Sequence, residues 1–404
     1  MTASHLTKLD GAQRTSAKPL QSTDTIRRNN LSLILGLLHR GGALSRAHLT
    51  KRTGLNRSTI SALVAELGDL GLAYETEAPA VGRVGRPSPL VHPNENIAAL
   101  AINPDVDAVT VGLVGLGGRV HRRIRYEAAT QPSVTETVNI SRAIIEGMQA
   151  DLEAMDRITG VGVAVPGLVR SSDGQILLAP HLQWADEPLS ASLEQALGRP
   201  VRAGNDATLA SLAESIYGAA VGFSDVVYLN GSASGIGGGV ISGARPLRGS
   251  AGFAGELGHT LVRTNGERCH CGRSGCLDAE VRLERLLVPL GLVRADQDDL
   301  ERAIAEHPSP ELAEEAERQI DLLAVALTNF VNIFNPEIIV LGGFLGSIFD
   351  LNPERLVSAV AKETIGGLGA GVKIKRAILG SELLLVGAAE LAFAQLLSDP
   401  AGTA

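Results

Sequence analysis

The stretch GELGHTLVRTNGERCHCGRSGC, residues 255–276, contains every cysteine of a 404-residue chain. Cys269, Cys271 and Cys276 are clustered where the rest of the sequence avoids the residue. A disulfide framework fits poorly. The count is odd, and Cys269 and Cys271 are too close in sequence to bridge each other. Residues 1–24 carry no apolar signal core, so a cytoplasmic protein with reduced thiols is expected. Soft thiolates suit tetrahedral zinc, which then needs a fourth ligand. His270 lies between two cysteines and is sterically awkward, whereas His259, ten residues before Cys269, is better placed. The competing reading is a glycine-rich surface loop with incidental thiols.

The rest of the chain gives this loop a setting. Apolar residues make up 45% and aromatic residues 3%, so the core must be aliphatic and rich in alanine. No apolar run is expected to be long enough to cross a bilayer, and no membrane partner is expected. The net charge of −8 is unevenly spread. Residues 1–95 hold 12 Lys and Arg against 7 Asp and Glu, and the remainder holds 24 against 37. A basic head on an acidic body suggests that the head meets a polyanion.

Residues 1–24 are polar and expected to be disordered. Leu31, Ile34, Leu35 and Leu38 then recur at helical spacing up to Gly41-Gly42. Ser45 can cap a short helix ending near Thr53, Gly54 permits a tight turn, and Asn56 can cap a second helix from Arg57 to about Leu70. Two helices joined this way make a helix-turn-helix. Its second helix opens with Asn56, Arg57, Ser58, Thr59 and Ser61, which suit phosphates and base edges in a major groove. The segment after it is expected to form a wing, with Arg83 and Arg86 on a glycine-rich tip able to enter a minor groove. A helical bundle for protein contacts and a solvated linker are the plainer alternatives.

From Ile97 the pattern becomes three strands, a helix near residues 134–155, and a buried strand, ITGVGVAVPG. A strand–loop–helix at GNDA follows, then a glycine-rich pair of strands. Helices are expected from about Asp278 to Asn335, then the strand EIIVLGG and a last helix near Leu385–Leu397. Strand meanders followed by helices, twice over, imply two related α/β lobes around a ligand cleft.

The order helix-turn-helix, VPG, GNDA, SGIGGG, GELGH, CHCGRSGCLD, VLGGF resembles the ROK family of bacterial sugar-responsive repressors and sugar kinases. The resemblance implies an actin-like, ribonuclease-H-like two-lobed domain after the winged helix-turn-helix. Residues 1–24 would be a tail, 25–95 the DNA-binding domain, 96–225 the first lobe and 226–404 the second, its last helix returning to the first. It implies structural Zn2+ on His259, Cys269, Cys271 and Cys276, and sugar contacts at Asn205, Asp206, Glu256 and His259. The family's Glu is Asp278 here, one methylene shorter, with Glu280 a possible substitute. Trp184, the only tryptophan, is expected to pack rather than stack on a sugar.

Asp206 matches the kinases' catalytic base. The family's first phosphate loop, Asp-x-Gly-Gly-Thr, is Asn103-Pro104-Asp105-Val106-Asp107 here, which removes both glycines and adds negative charge. The glycines from Gly235 to Gly239 remain, but glycines also permit a tight turn between strands. The expectation is therefore no kinase activity. The chain would be a homo-oligomeric regulator, dimer or tetramer, that binds operator DNA and responds to a sugar.

Overall fold

The computed structural model describes residues 23–77, 88–250 and 252–402. The head begins with helix α1 (Thr23–Gly41), whose Leu31, Ile34, Leu35 and Leu38 are fully buried. The short strand β1 (Leu44–Ser45) leads into α2 (Arg46–Thr53) and α3 (Arg57–Asp69). The local signals act as read. Ser45 Oγ accepts from His48 N at 3.1 Å, Gly54 ends α2 at φ 72°, and Asn56 Oδ1 accepts from Thr59 N at 2.8 Å. Strands β2 (Ala73–Thr76) and β3 (Leu90–Pro93) pair antiparallel beside β1, which gives the wing its stem. Arg83 and Arg86 lie outside the described residues, as do residues 1–22.

The first lobe contains β4 (Ile97–Pro104), β5 (Ala108–Gly115), β6 (Val120–Glu127), α4 (Val134–Gly147), α5 (Gln149–Glu153) and β7 (Arg157–Val165). A small sheet of β8 (Leu168–Val169), β9 (Ile176–Ala179) and β10 (Trp184–Glu187) follows, then α6 (Leu189–Leu197), β11 (Val201–Asn205) and α7 (Asp206–Tyr217). The second lobe contains β12 (Val226–Ser232), β13 (Gly235–Ser242) and β14 (Arg245–Pro246). Its helices are α8 (Leu277–Glu280), α9 (Leu283–Leu287), α10 (Gln297–Glu306) and α11 (Pro310–Phe334). The chain closes with β15 (Ile338–Gly343), α12 (Phe344–Leu351), α13 (Pro353–Glu363), β16 (Lys373–Arg376) and α14 (Leu383–Ser398).

The two main sheets run β11-β7-β4-β5-β6 and β14-β13-β12-β15-β16. Each is an antiparallel meander of three strands extended by two parallel ones, so the lobes repeat one topology. Every residue of β4 and β5 is buried, as expected of strands covered on both faces.

Several expectations need correction. The helix expected over 134–155 breaks at Met148, whose φ −95° and ψ 17° are not helical. The small sheet, α12, α13 and β16 had no clear sequence signal. One stretch, Gly380–Ser398, is after all long and apolar enough to cross a membrane by length and composition. It is instead a core helix. Leu385, Val386, Ala388, Ala389 and Phe393 of α14 are buried against the first lobe's sheet and against α1.

That packing needs glycine. A Cβ on Gly162 of β7 would overlap the carbonyl of Ala388, and one on Gly112 would lie 2.7 Å from Leu385 Cδ1. Gly162→Ala must therefore lift α14 off the sheet. We expect a loss of about 1–3 kcal/mol, read as a lower melting temperature, and an unchanged melting curve would refute this packing.

Candidate functional site

Strand β13 is the plate on which the candidate site is built. Its side positions alternate between faces. Gly237 and Gly239 face α7, where a Cβ would lie 2.7 Å from Ala207 Cβ and 2.5 Å from Ser211 Oγ. Gly238 faces the turn Leu257–His259, where a Cβ would lie 2.8 Å from Leu257 Cβ. A Cβ on Gly258 would overlap the carbonyl of Ile236. Only Gly235, at φ 108°, needs glycine's backbone freedom. The reading of Gly235–Gly239 as a tight turn is corrected accordingly, because most of these glycines serve close packing.

This packing brings the first turn of α7 and the 255–259 turn onto the same strand. Asp206 opens α7 and accepts from Ala207 N at 2.7 Å. Burial pushes its carboxyl up to about 7, and the charges of Asp105 and Glu256 act in the same direction. Burial also raises Asp105 and Glu256. Three carboxyls thus converge where both lobes meet. Asn205 is largely committed: Oδ1 caps α7 through Thr208 N at 2.9 Å, and Nδ2 donates to Gly167 O at 3.1 Å and Asp206 Oδ1 at 3.2 Å.

Asp278 Oδ1 accepts from Ile236 N at 2.7 Å, and its Oδ2 lies 3.3 Å from His270 Nδ1. A Cβ on Gly235 would overlap the same Oδ1, so the contact depends on glycine there. Glu280, considered as its substitute, points elsewhere. It is buried and accepts from Glu267 N at 2.6 Å, at the base of the cysteine loop. Trp184 is buried and donates to Pro132 O at 3.1 Å, a packing role. Two histidines not assigned from the sequence, His181 and His270, meet edge to face with ring centroids 4.7 Å apart. They bring the first lobe against the second.

The cysteine loop gathers His259, Cys269, Cys271 and Cys276, with ligand atoms within 4.8 Å of one another. Cys271 and Cys276 sulfurs are 3.7 Å apart, and Cys269 Sγ is 3.6 Å from His259 Nδ1. A zinc tetrahedron with thiolate and imidazole ligands has edges of about 3.5–3.8 Å, so the donor set fits that ion. Burial pushes the Cys269 thiol up to about 12, and a divalent cation would deprotonate it. His270, Asp278, His259 and Cys269 form a second possible grouping, but it holds a single sulfur.

On the first lobe's side, the hairpin between β4 and β5 that carries Asp105 leaves little for a phosphate. Asp105 N donates to Ala108 O at 2.8 Å, and Val106 N donates to Asp105 Oδ1 at 2.7 Å. Pro104 has no N–H, and Asp107 pairs with Arg125 at 3.0 Å.

In the head, Arg57 and Ser58 are exposed at the start of α3. Asn56 is the helix cap, Thr59 is half-buried, and Ser61 Oγ accepts from Arg46 Nη1 at 2.9 Å. Arg46 in turn pairs with Glu75 of the wing.

Residues 100–395 match the description of the ROK family. The chain belongs to the ROK family. Residues 32–84 match the MarR family, so a winged head of that type precedes the ROK domain. The xylose repressor of Caldicellulosiruptor bescii is 28% identical over 392 residues, covering 92% of this chain and 97% of that protein. A ROK transcriptional regulator, described as a homologue of E. coli Mlc, superposes with a TM-score of 0.74 at 25% identity, covering 93% of this chain and 97% of its own. A Streptomyces griseus ROK glucokinase in complex with glucose and AMPPNP gives 0.62 at 25% identity, covering 74% of this chain and 99% of its own. The part of the ROK chain that the kinase lacks is about the size of the head.

Two predictions follow from this geometry. Cys271→Ser should lose bound zinc, measured by elemental analysis of the purified protein, and one metal per chain in the variant would break the ligand set. The second concerns Asp206. Its raised pKa means the folded state holds a proton that the unfolded chain releases, so stability should fall as pH rises from 3.8 to about 7. Asp206→Asn should remove that slope, so its melting temperature should gain on the wild type by about 2 °C or more between pH 5 and pH 8. Parallel pH curves for the two proteins would contradict the assignment.

Proposed function

We propose that this ROK protein is a DNA-binding transcriptional repressor whose cleft binds a sugar that changes its affinity for operator DNA. The observation that carries the reading is the combination of a winged head with a cleft whose phosphate turn spends its own N–H groups. Phosphoryl transfer depends on backbone donors and cations around the phosphates. Here Pro104 supplies no donor, the N–H groups of residues 105 and 106 are already bonded, and Asp105 and Asp107 bring negative charge.

Asp206, Glu256 and His259 are the proposed hydroxyl contacts. Asn205 orients Asp206 and keeps one lone pair on Oδ1. Asp278 contributes mainly by bracing β13. His259 Nδ1 faces the thiols, so its other ring nitrogen is available to a hydroxyl. Zinc on His259, Cys269, Cys271 and Cys276 would be structural, since four protein ligands close its coordination. It would hold the 255–259 turn in place against β13.

Arg57 and Ser58 are proposed to read DNA directly, with Thr59 beside them, while Asn56 and Ser61 hold the recognition helix in shape. Arg83 and Arg86 would extend the contact through the wing. A homodimer, or a tetramer built from dimers, would present two heads to half-sites about 10 base pairs, or a multiple, apart. A cytoplasmic location follows from this role.

The kinase alternative rests on Asp206 and the glycine strand. Gly237 and Gly239 are covered by α7, and Gly238 by Leu257, which weakens the strand as a nucleotide loop. Thermal unfolding with D-xylose and D-glucose, each with and without magnesium-ATP, separates the two readings. We expect one sugar to raise the melting temperature with no further rise from ATP, and the same sugar to weaken binding to a duplex selected on the sugar-free protein. Steady turnover of ATP with either sugar would overturn the repressor reading in favour of the kinase.

A further inference from the structure

The head is not joined to the body by a slack linker. Residues of α1, α7 and α14 belong to one continuous apolar cluster, in which Leu31, Ile34, Leu35 and Leu38 meet Phe393 and Leu396. Within it lies a buried polar network that neither the proposed DNA contacts nor the sugar site uses. His39, near the end of α1, is fully buried. Its Nδ1 accepts from Gly117 N at 3.0 Å, which places the ring proton on Nε2. Nε2 lies 2.9 Å from Glu390 Oε1 on α14 and 2.8 Å from Tyr217 Oη on α7. The Tyr217 hydroxyl donates to the same Glu390 oxygen at 3.1 Å. Burial and the Glu390 carboxylate keep the phenol protonated, so it stays a donor.

Tyr217 is the last residue of the helix that opens with Asp206. The two ends of α7 therefore lie in different places. One is in the cleft, and the other is against the DNA-binding head about 16 Å away along the helix axis. Between them, Glu214 is fully buried and accepts from Ile378 N and Leu379 N, both at 3.0 Å, and from Ala219 N at 2.6 Å. Residues 378 and 379 are where the chain leaves the second lobe's sheet and crosses back to α14. This clamp, together with the direct packing of α7 on β13, ties α7 to the second lobe, so a movement of that lobe relative to the first acts on the helix.

We infer that α7 transmits the state of the cleft to the DNA-binding head, and that Tyr217 is the positioning residue at its output. The inference rests on the sensor reading above and adds the route. A ligand can shift the head only if it favours one of two arrangements. A rigid helix held at Asp206, Glu214 and Tyr217 cannot move at one end without moving at the other. The network offers a discrete contact to make or break, and a buried hydrogen-bonded group left without its partner is disfavoured. Gly117 N and Glu390 fix His39 independently of Tyr217, so the phenol can be removed without emptying the site.

Tyr217→Phe in the full-length protein tests this. The readout is the ratio of affinities for the selected duplex without and with D-xylose or D-glucose, whichever acts on the wild type. We expect zinc content, sugar affinity and melting temperature close to wild type, and a ratio reduced by about fivefold or to unity, the scale of one buried hydrogen bond. Ser32→Ala serves as the control. It removes another bond between head and body, from Ser32 Oγ to Leu397 O at 2.6 Å, without touching α7. It should leave the ratio intact. An unchanged ratio in Tyr217→Phe overturns the inference, as does an equal loss in Ser32→Ala, which would mean general loosening of the interface. Should Tyr217→Phe fail to fold, Glu390→Gln keeps the shape while weakening the acceptor shared by His39 and Tyr217, and an unchanged ratio there is equally fatal. If neither sugar changes the wild type's affinity but another effector does, the same ratio is read with that effector. If nothing bound in the cleft changes it, the sensor reading falls and takes the inference with it.

Discussion

A run of glycines in one strand controls the architecture of the cleft. Between Gly235 and Gly239, β13 lets a helix and a turn approach its two faces at distances a single methyl group would forbid. Glycine in a strand costs about 0.5–1 kcal/mol relative to alanine, and that cost is repeated along this segment. The return is positional. Asp206 on α7, Glu256 and His259 on the turn, and Asp278 on α8 all take their places from contacts with this one strand. A sugar presents hydroxyls in several directions, and binding one requires groups held from several sides. A glycine strand achieves this without long side chains that would have to be ordered.

The cysteine loop extends the same logic. Its glycines Gly272 and Gly275 have φ of 92° and 77°, which lets the chain fold back so that three sulfurs meet His259. Glu280 then ties the base of the loop through Glu267 N. The loop and the turn carrying Glu256 and His259 share His259, so a metal held by this cluster would be coupled to the geometry of the cleft through that residue. On the first lobe's side of the cleft, the 103–108 hairpin is closed by its own hydrogen bonds, which supports the proposal that a sugar, and not a nucleotide phosphate, is what the cleft receives.

Much of this was legible in the sequence where the determinants are local. Ser45, Gly54 and Asn56 are caps or turns whose partners lie within three or four residues, and each behaves as its type suggests. The Cys–His spacing and the two strand meanders were equally readable, because ligand sets and sheet periodicity are written in short stretches. What escaped was set by distant packing. The helix break at Met148 and the sheet of β8–β10 have weak local signals. The glycines of β13 look like a turn until α7 is placed on them. The pointing of Glu280 away from the cleft depends on where residue 267 lies. The His39–Tyr217–Glu390 network joins residues separated by 178 and 351 positions, and nothing in the neighbourhood of any one of them announces the others.

The central claim is that the cleft and the DNA-binding head share one packed core, so that occupancy of the first is felt by the second. Hydrogen exchange across the full-length protein, with and without a saturating sugar, tests it most directly, because backbone protection reports local opening segment by segment. The account predicts altered protection in α7 and in α1, 23–41, as well as around residues 255–259. Changes confined to the cleft loops, with α1 and the C-terminal part of α7 untouched, would contradict it.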